Sequence, residues 1–155
     1  MALLKLDPSN HKISDLFDYV SINKFVVPPF QRPYAWTIEH CEALWNDIEQ
    51  SWNSNYVIPC FLGSIIVYPE NENEKQLLLI DGQQRMTTIM LFLRAAYLVI
   101  QSTMKVMTNE ETFDLRMECR AQIKKLETSL WKPLEPGYDN SEIDKSCPRL
   151  ERHNI

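Results

Sequence analysis

The chain has 155 residues, of which 45% are hydrophobic and 24% are charged, values typical of one ordinary globular domain. A wholly disordered or collagen-like chain is therefore excluded. Sixteen Lys and Arg against 21 Asp and Glu give a net charge of −5, so no general excess of positive charge favours non-specific nucleic-acid binding. The deficit lies in residues 1–80, which hold 5 basic and 10 acidic side chains.

Cysteine usage and the apolar stretches indicate a cytoplasmic protein without membrane contact. The four cysteines show no CxxC pairing, and with only three histidines the sequence predicts no metal site. Cys41, Cys60 and Cys119 lie in apolar stretches and are interpreted as reduced core residues. The N-terminus does not have the pattern of a signal peptide. The most apolar stretch, residues 89–100, contains Arg94 and is too short to cross a bilayer.

The first part of the chain predicts helices around one strand. Ser14 is a candidate N-cap for a short helix. Residues 24–27 are predicted as a strand, which ends at two prolines because neither has an N–H to donate. Thr37 is the predicted N-cap of an amphipathic helix over residues 38–52. Six apolar residues at helical spacing carry that prediction: Ile38, Cys41, Leu44, Trp45, Ile48 and Trp52.

The middle of the chain predicts a β-hairpin and two more helices. Residues 61–68 and 76–80 are apolar runs separated by an acidic surface turn. Apolar residues spaced by three and four over 86–104 predict a long helix with apolar surface around much of its circumference, central to the core. A last helix is predicted over about residues 110–130 with Asn109 as its cap. The tail beyond it, which contains three prolines, is predicted to be mostly loop.

The junction between the hairpin and the long helix has the sequence DGQQR, residues 81–85. In a structural interpretation, Asp81 caps the helix and Gln84 completes a reciprocal capping box. That leaves Gly82, Gln83 and Arg85 unexplained. Gly82 allows an anion to approach the amides of a helix N-terminus, and Arg85 is a first-turn cation that opposes the helix dipole unless an external anion compensates it. We therefore favour a phosphate-binding turn over capping alone.

A second polar cluster lies at Gln31 and Arg32, between proline-fixed backbone segments. Arg32 can bind phosphate or carboxylate through two hydrogen bonds, and Gln31 can bond a base edge or orient a water. Alternatively, Arg32 stacks on Tyr34 or Trp36 as a structural brace. Composition does not separate the two interpretations.

Together these segments resemble the N-terminal domain of GmrSD-type modification-dependent restriction systems, a domain that also occurs in phosphorothioate-sensing defence proteins. The likeness runs from about Ser14 to Val99, with weaker agreement at residues 147–150. Its most specific part is the strand–IDGQQR-x-TT–helix junction, and Val27 stands where the family usually has Ile. Four segments carry the resemblance: VPPFQRPYAW (27–36), LWNDI (44–48), FLGSI (61–65) and IDGQQRMTT (80–88).

The resemblance implies an α/β fold of the ParB/sulfiredoxin-like kind, with a small mixed sheet flanked by helices. It also implies that the DGQQR junction binds a nucleoside triphosphate with Mg²⁺, and that NTP hydrolysis licenses DNA cleavage by a separate HNH-type nuclease domain. Asp81 either holds Mg²⁺ or orients the attacking water, or it only caps the helix. The residues implied are catalytic Asp81, Gln84 and Arg85, and phosphate-binding Gly82, Gln83, Gln31 and Arg32.

We expect residues 1–155 to form one domain and to be a fragment of a longer multidomain protein, because no HNH motif is visible. DNA would then be contacted through the full-length protein. Two alternatives remain: a modified-DNA-sensing module without hydrolysis, which the acidic first half disfavours, and a ParB-like nuclease, which the lack of paired carboxylates disfavours. We interpret Asp47 as a helix-surface residue rather than as a second acidic group of the site.

Overall fold

The computed structural model describes residues 9–13, 16, 24–58, 60–69, 76–107, 112–133 and 143–152, with the backbone alone at residues 132, 133 and 143–147. Within these residues, three helices accompany a four-stranded mixed sheet and a separate two-stranded sheet. In chain order the elements are β1 (Lys24–Val27), α1 (Ile38–Asn53), β2 (Ile66–Pro69), β3 (Gln76–Asp81), α2 (Gln83–Val106), α3 (Phe113–Leu130), β4 (Trp131–Pro133), β5 (Ile143–Pro148) and β6 (Leu150–Arg152).

The larger sheet has the strand order β2–β3–β1–β6. Strand β1 is parallel to both neighbours, so Phe25 pairs with Leu77 of β3 and with Leu150 of β6, whereas β2 is antiparallel to β3. Parallel strands end at the same edge of a sheet, and ligands of open α/β folds bind at that edge. The segment after β1, the turn after β3 and the end of β6 therefore meet there.

The core lies between this sheet and α2. Phe25 of β1, Leu79 of β3 and Met86 of α2 are all almost completely buried in one cluster. Further along α2, the Tyr97 ring meets the Trp131 ring edge-to-face at 5.1 Å between centroids. This contact joins α2 to the end of α3, so the helix that begins at the DGQQR turn is also held near its middle.

Most of the predicted elements are confirmed. The strand over residues 24–27 is observed, Thr37 is the N-cap of α1, and β2 and β3 form the predicted antiparallel hairpin. The long helix begins directly after the DGQQR turn's first two residues. The mixed α/β class is therefore confirmed, while the ParB/sulfiredoxin likeness stays a prediction. The short helix predicted from Ser14 lies outside the described residues, apart from helical Ile13 and Leu16.

Three sequence expectations are wrong. The strand predicted over residues 61–68 begins only at Ile66, because Gly63 has a φ of 88°, which does not continue a strand. Helix α3 has Thr112 rather than Asn109 as its N-cap. The described part of the tail, residues 131–133 and 143–152, is strand rather than loop, since β4, β5 and β6 lie in it. Strand β6 is the one that matters for the site, because it pairs with β1.

Helix α2 is longer and less enclosed than expected. It has 24 residues and, by length and composition alone, is apolar enough to cross a membrane, with a mean hydropathy of 1.4 over its best 18-residue window. Only 11% of that window is buried, since Leu98 and Val99 are exposed. Within the domain, however, Met86 and Met90 pack into the core, and the Arg94 guanidinium lies 4.8 Å from the centroid of the Trp131 ring.

We expect Leu79→Ala to lower the free energy of unfolding by about 2–5 kcal/mol, because it removes a fully buried side chain and leaves a cavity. Leu98→Ala on the exposed face of α2 makes the same chemical change and should cost less than about 1 kcal/mol. Urea unfolding followed by circular dichroism measures both values. Equal losses would show that the core does not lie between the sheet and α2.

Candidate functional site

The QRPYAW segment, residues 31–36, is extended but pairs with no strand among the described residues. Its backbone groups are bonded instead by Gln84, in the first turn of α2. The Gln84 Oε1 accepts the N–H of Ala35 at 2.7 Å and that of Trp36 at 3.3 Å, and its Nε2 donates to the Pro33 carbonyl at 3.1 Å. One buried side-chain amide thus satisfies three backbone groups that a sheet would otherwise have to satisfy.

Neighbouring residues of the DGQQR turn repeat this pattern. Gln83 Nε2 donates to the Arg32 carbonyl at 2.8 Å, and Gln31 Nε2 donates in the opposite direction to the Ile80 carbonyl at 2.7 Å. The QRPYAW segment and the start of α2 are therefore two halves of one hydrogen-bonded unit. The two motifs that carry the sequence resemblance are adjacent in space because each bonds the other.

Thr88 extends this unit by one turn of α2. Its hydroxyl donates to the Gln84 carbonyl at 2.9 Å, so it is left to accept from the Tyr34 hydroxyl, also at 2.9 Å. Burial, with a hydrogen bond to Cys41, raises the pKa of the Tyr34 phenol. Tyr34 therefore remains protonated and can donate at all physiological pH values.

Arg152 is a site residue that the sequence analysis missed. Its guanidinium donates to the Gln31 carbonyl at 2.7 Å and to the Arg32 carbonyl at 3.4 Å. About 120 residues separate it from the QRPYAW segment, and only the parallel pairing of β6 with β1 brings them together. A sequence signal for Arg152 would require that pairing to be known.

The DGQQR turn begins α2 without the predicted capping box. The N-cap is Gly82, in the left-handed region with φ 85°, and no side chain caps the helix. The Asp81 carboxylate accepts the N–H of Gly82 at 2.8 Å, while the Gln84 side chain bonds the QRPYAW segment. The capping-box interpretation is therefore wrong, because both of its side chains have other partners.

Among the described residues, the first-turn amides of α2 have no intramolecular partners. Met86 N–H donates to the Gly82 carbonyl at 2.9 Å, which closes the first helical turn. The N–H groups of Gln83, Gln84 and Arg85 have no acceptor among the described residues, as expected at a helix start. Three orphan donors at a helix N-terminus favour an anion.

Two glycines bring residues 63–65 close to this turn. A Cβ on Gly82 would lie 3.1 Å from Ile65 Cγ1, and a Cβ on Gly63 would lie 2.5 Å from Nη1 of Arg85. Both glycines also have positive φ values, which other residues rarely adopt. The Arg85 guanidinium thus lies over the backbone at Gly63 and donates to the Ser64 carbonyl at 3.3 Å. Contacts with Gly63 and Ser64 therefore fix the orientation of the Arg85 side chain.

The structure gathers the predicted residues at the carboxyl edge of the sheet but gives them different environments. The Gln83 and Gln84 side chains are buried and bonded within the domain, so their direct contribution to phosphate binding or catalysis stays a prediction. Arg32 is exposed, and no described residue bonds its guanidinium. Asp81 is exposed at the turn, whereas Asp47 is exposed on α1, as interpreted from the sequence. The described residues contain no cluster of three or more potential metal ligands.

A cavity of about 600 Å³ lies along another part of α2, and none of the predicted site residues lines it. Its walls are largely apolar, and Arg94 and Gln101 are among its polar lining residues. Arg94 also lies over the ring of Tyr97, 5.1 Å from the centroid, as part of the α2–α3 packing. We therefore do not assign the phosphate site to this cavity.

The three cysteines in the described residues are free, as expected, but they are half-buried rather than fully in the core. Burial, together with the negative charge of Asp47, raises the pKa of the Cys60 thiol. Cys60 is therefore protonated near neutral pH and is a poor nucleophile.

The fold is an α/β domain with a mixed sheet. At the carboxyl edge of that sheet, the DGQQR turn and the QRPYAW segment are hydrogen-bonded to each other. A model of the GmrSD restriction endonuclease N-terminal domain matches residues 13–153. The chain belongs to this family, and the match makes it a domain of a restriction or defence protein. A search of curated proteins finds no match.

We expect Gln84→Ala to release the QRPYAW segment, because it leaves the backbone groups of Pro33, Ala35 and Trp36 without partners. The cost should be about 1–3 kcal/mol of local stability, seen by hydrogen–deuterium exchange mass spectrometry as faster exchange at residues 35 and 36. Gln50→Ala, at an exposed position of α1, is the matched control and should change nothing. Unchanged protection of residues 35 and 36 in the Gln84 variant would contradict the hydrogen-bonding role.

Proposed function

We propose that this domain binds a nucleoside triphosphate at the N-terminus of α2 and hydrolyses it, as a cytoplasmic regulatory module of a modification-dependent DNA restriction protein. The observation that carries the proposal is the set of three amides at residues 83–85 that no described residue bonds, beside the directed guanidinium of Arg85. Backbone donors and an arginine at one helix start are complementary to a phosphate group.

The surrounding contacts support a site arranged before the ligand arrives. Gln83 and Gln84 hold the QRPYAW segment by hydrogen bonds, so Arg32 projects from a fixed backbone at the same edge of the sheet. Little conformational freedom would be lost when Arg32 meets a phosphate, and that lowers the cost of binding. In this proposal the side chains of the two glutamines position the segment, while their backbone amides, together with Arg32, Gly82 and Arg85, contact the nucleotide.

Asp81 is the residue that would hold Mg²⁺. The cation commonly uses one or two carboxylates, several waters and the phosphates themselves, so a single carboxylate beside a phosphate site fits it. One Asp81 oxygen accepts the Gly82 N–H, which orients the other. When bound, Mg²⁺ would neutralise phosphate charge. Gln31, fixed through its Nε2 to the Ile80 carbonyl, has its amide oxygen available to orient a water.

DNA enters the proposal as the target of the longer protein rather than of this domain. The net charge of −5 gives the domain little electrostatic attraction for a duplex. Cleavage would be carried out by an HNH-type nuclease domain outside this chain, in response to the nucleotide state of the DGQQR site. A DNA-binding module without hydrolysis remains the competing function, and separate titrations with nucleotide and with duplex DNA distinguish the two.

We expect Arg85→Ala to weaken binding of a non-hydrolysable nucleoside triphosphate by roughly 1.5–3 kcal/mol, the value of a charge-assisted hydrogen bond. Stability should change little, since a first-turn cation opposes the helix dipole. Isothermal titration calorimetry with Mg²⁺ measures the affinity. Arg94→Ala, which removes another arginine from the same helix outside the site, should leave the affinity unchanged.

Two results would contradict the proposal. Arg85→Ala could melt at a much lower temperature and bind nucleotide as well as the unmodified chain, which would make Arg85 a structural brace. Alternatively, the unmodified chain could bind duplex DNA and no triphosphate in parallel titrations, which would favour the DNA-binding module.

Gly63→Ala tests the direction of Arg85 without removing it. The new methyl group would occupy the position of the guanidinium and displace it, and the positive φ adds about 1 kcal/mol of strain. We therefore expect a folded protein with a nucleotide affinity as low as that of Arg85→Ala. Thermal melting and the same titration check both points, and full affinity in the folded variant would show that the contact with residue 63 does not matter.

A further inference from the structure

Helix α1 carries an apolar stripe that the fold does not bury. Ile38, Trp45 and Trp52 follow each other at intervals of seven residues, and they are 66%, 50% and 66% exposed. Seven residues are close to two helical turns, so the three side chains lie on one face. Glu42 and Glu49 are also exposed and lie between them on that face. We call these five residues the α1 stripe.

The α1 stripe borders the face that α1 turns towards the domain. Leu44 and Ser51 are buried, and Cys41 and Ile48 are half-buried, so the inward face is centred about a quarter of a turn from the stripe. The six apolar residues predicted as one amphipathic face therefore do form one face, but its outer part stays exposed. Trp45 makes an edge-to-face contact with Phe92 of α2 at 5.6 Å between ring centroids.

The turn after α1 continues this apolar surface in an ordered way. The Tyr56 N–H donates to the Ser51 carbonyl at 2.9 Å, and the Tyr56 ring meets the Trp52 ring edge-to-face at 5.8 Å. Tyr56 has a φ of 63°, which is unfavourable for a large residue. Hydrogen bonds thus hold this aromatic pair in a defined arrangement while Val57 and Phe61 remain more than four-fifths exposed.

Charge restricts what can cover the surface. Helix α1 contains four acidic residues and no Lys or Arg, and the whole stretch from Pro33 to Glu74 also contains no Lys or Arg. Nucleic acid is therefore excluded by repulsion. A second copy of the chain is disfavoured as well, because it would place Glu42 and Glu49 against the same carboxylates.

We propose that the α1 stripe binds a helix of a partner protein, one with apolar residues at heptad spacing flanked by Lys or Arg. Aromatic side chains are enriched at the centres of protein interfaces and supply most of their binding energy. Ile38, Trp45 and Trp52 have the seven-residue spacing of contact positions in a packed helix pair. Glu42 and Glu49, each four residues after one of them, flank these contacts and favour a partner helix with basic residues. The inference is independent of the nucleotide site, since α1 contributes none of its residues.

The test uses the complete 155-residue chain and two labelled synthetic helical peptides of about three heptads, with Leu at positions a and d and either Lys or Glu at e and g. Fluorescence anisotropy should show binding of the Lys peptide at least about tenfold tighter than that of the Glu peptide. Trp52→Ser should weaken binding of the Lys peptide by about tenfold or more. Val99→Ser, an exposed apolar residue of α2, is the matched control and should have no effect.

A charge exchange separates recognition from non-specific attraction. In the double variant Glu42→Lys and Glu49→Lys the preference should reverse in favour of the Glu peptide. Asp114→Lys with Glu118→Lys on α3 changes the net charge equally and should leave the preference intact. Equal effects of the two double variants, or no peptide binding at all, would overturn the proposal. So would a dimer of the chain that Trp52→Ser dissociates, since the stripe would then bind a second copy.

Discussion

The hydrogen bonding of Gln83 and Gln84 is the constraint on which the rest of the site depends. An extended segment without a sheet partner would leave its N–H and C=O groups unsatisfied, at about 1–3 kcal/mol for each buried group. Two glutamine amides provide those partners from the first turn of α2, and no buried side-chain polar atom among the described residues lacks a bond. The QRPYAW segment therefore has one position relative to the helix N-terminus, and Arg32 is presented from it.

The sheet topology makes this contact possible, and two glycines make it close. Parallel pairing of β1 with β3 and β6 places three chain-distant segments at one edge, where Arg152 adds a third set of bonds to the QRPYAW backbone. At the other side of the turn, Gly63 and Gly82 allow residues 63–65 to contact it. This contact orients the Arg85 side chain. The side chains of Gln83 and Gln84 are oriented instead by their hydrogen bonds to the QRPYAW segment.

Sequence reasoning succeeded where the determinants were local. The strand before DGQQR, the helix after it and the Thr37 cap follow from periodicity and capping chemistry, and the resemblance named the family that the match over residues 13–153 confirms. It failed where the position of a side chain or strand depends on a partner that is distant in the sequence. Gln84 suits a capping box by spacing, yet its side chain bonds residues nearly fifty positions away. Arg152 and β6 could not be found without the pairing to β1, and the periodic pattern of α1 did not show that part of its apolar face stays exposed.

A crystal structure of the chain with a non-hydrolysable nucleoside triphosphate and Mg²⁺ tests the central claim most directly. We expect phosphate oxygens within hydrogen-bonding distance of the amides of residues 83–85 and of the Arg85 guanidinium. We also expect the QRPYAW segment to keep its bonds to Gln83 and Gln84. A nucleotide bound in the cavity beside Arg94 instead, with the DGQQR turn empty, would contradict the phosphate-binding role of the turn.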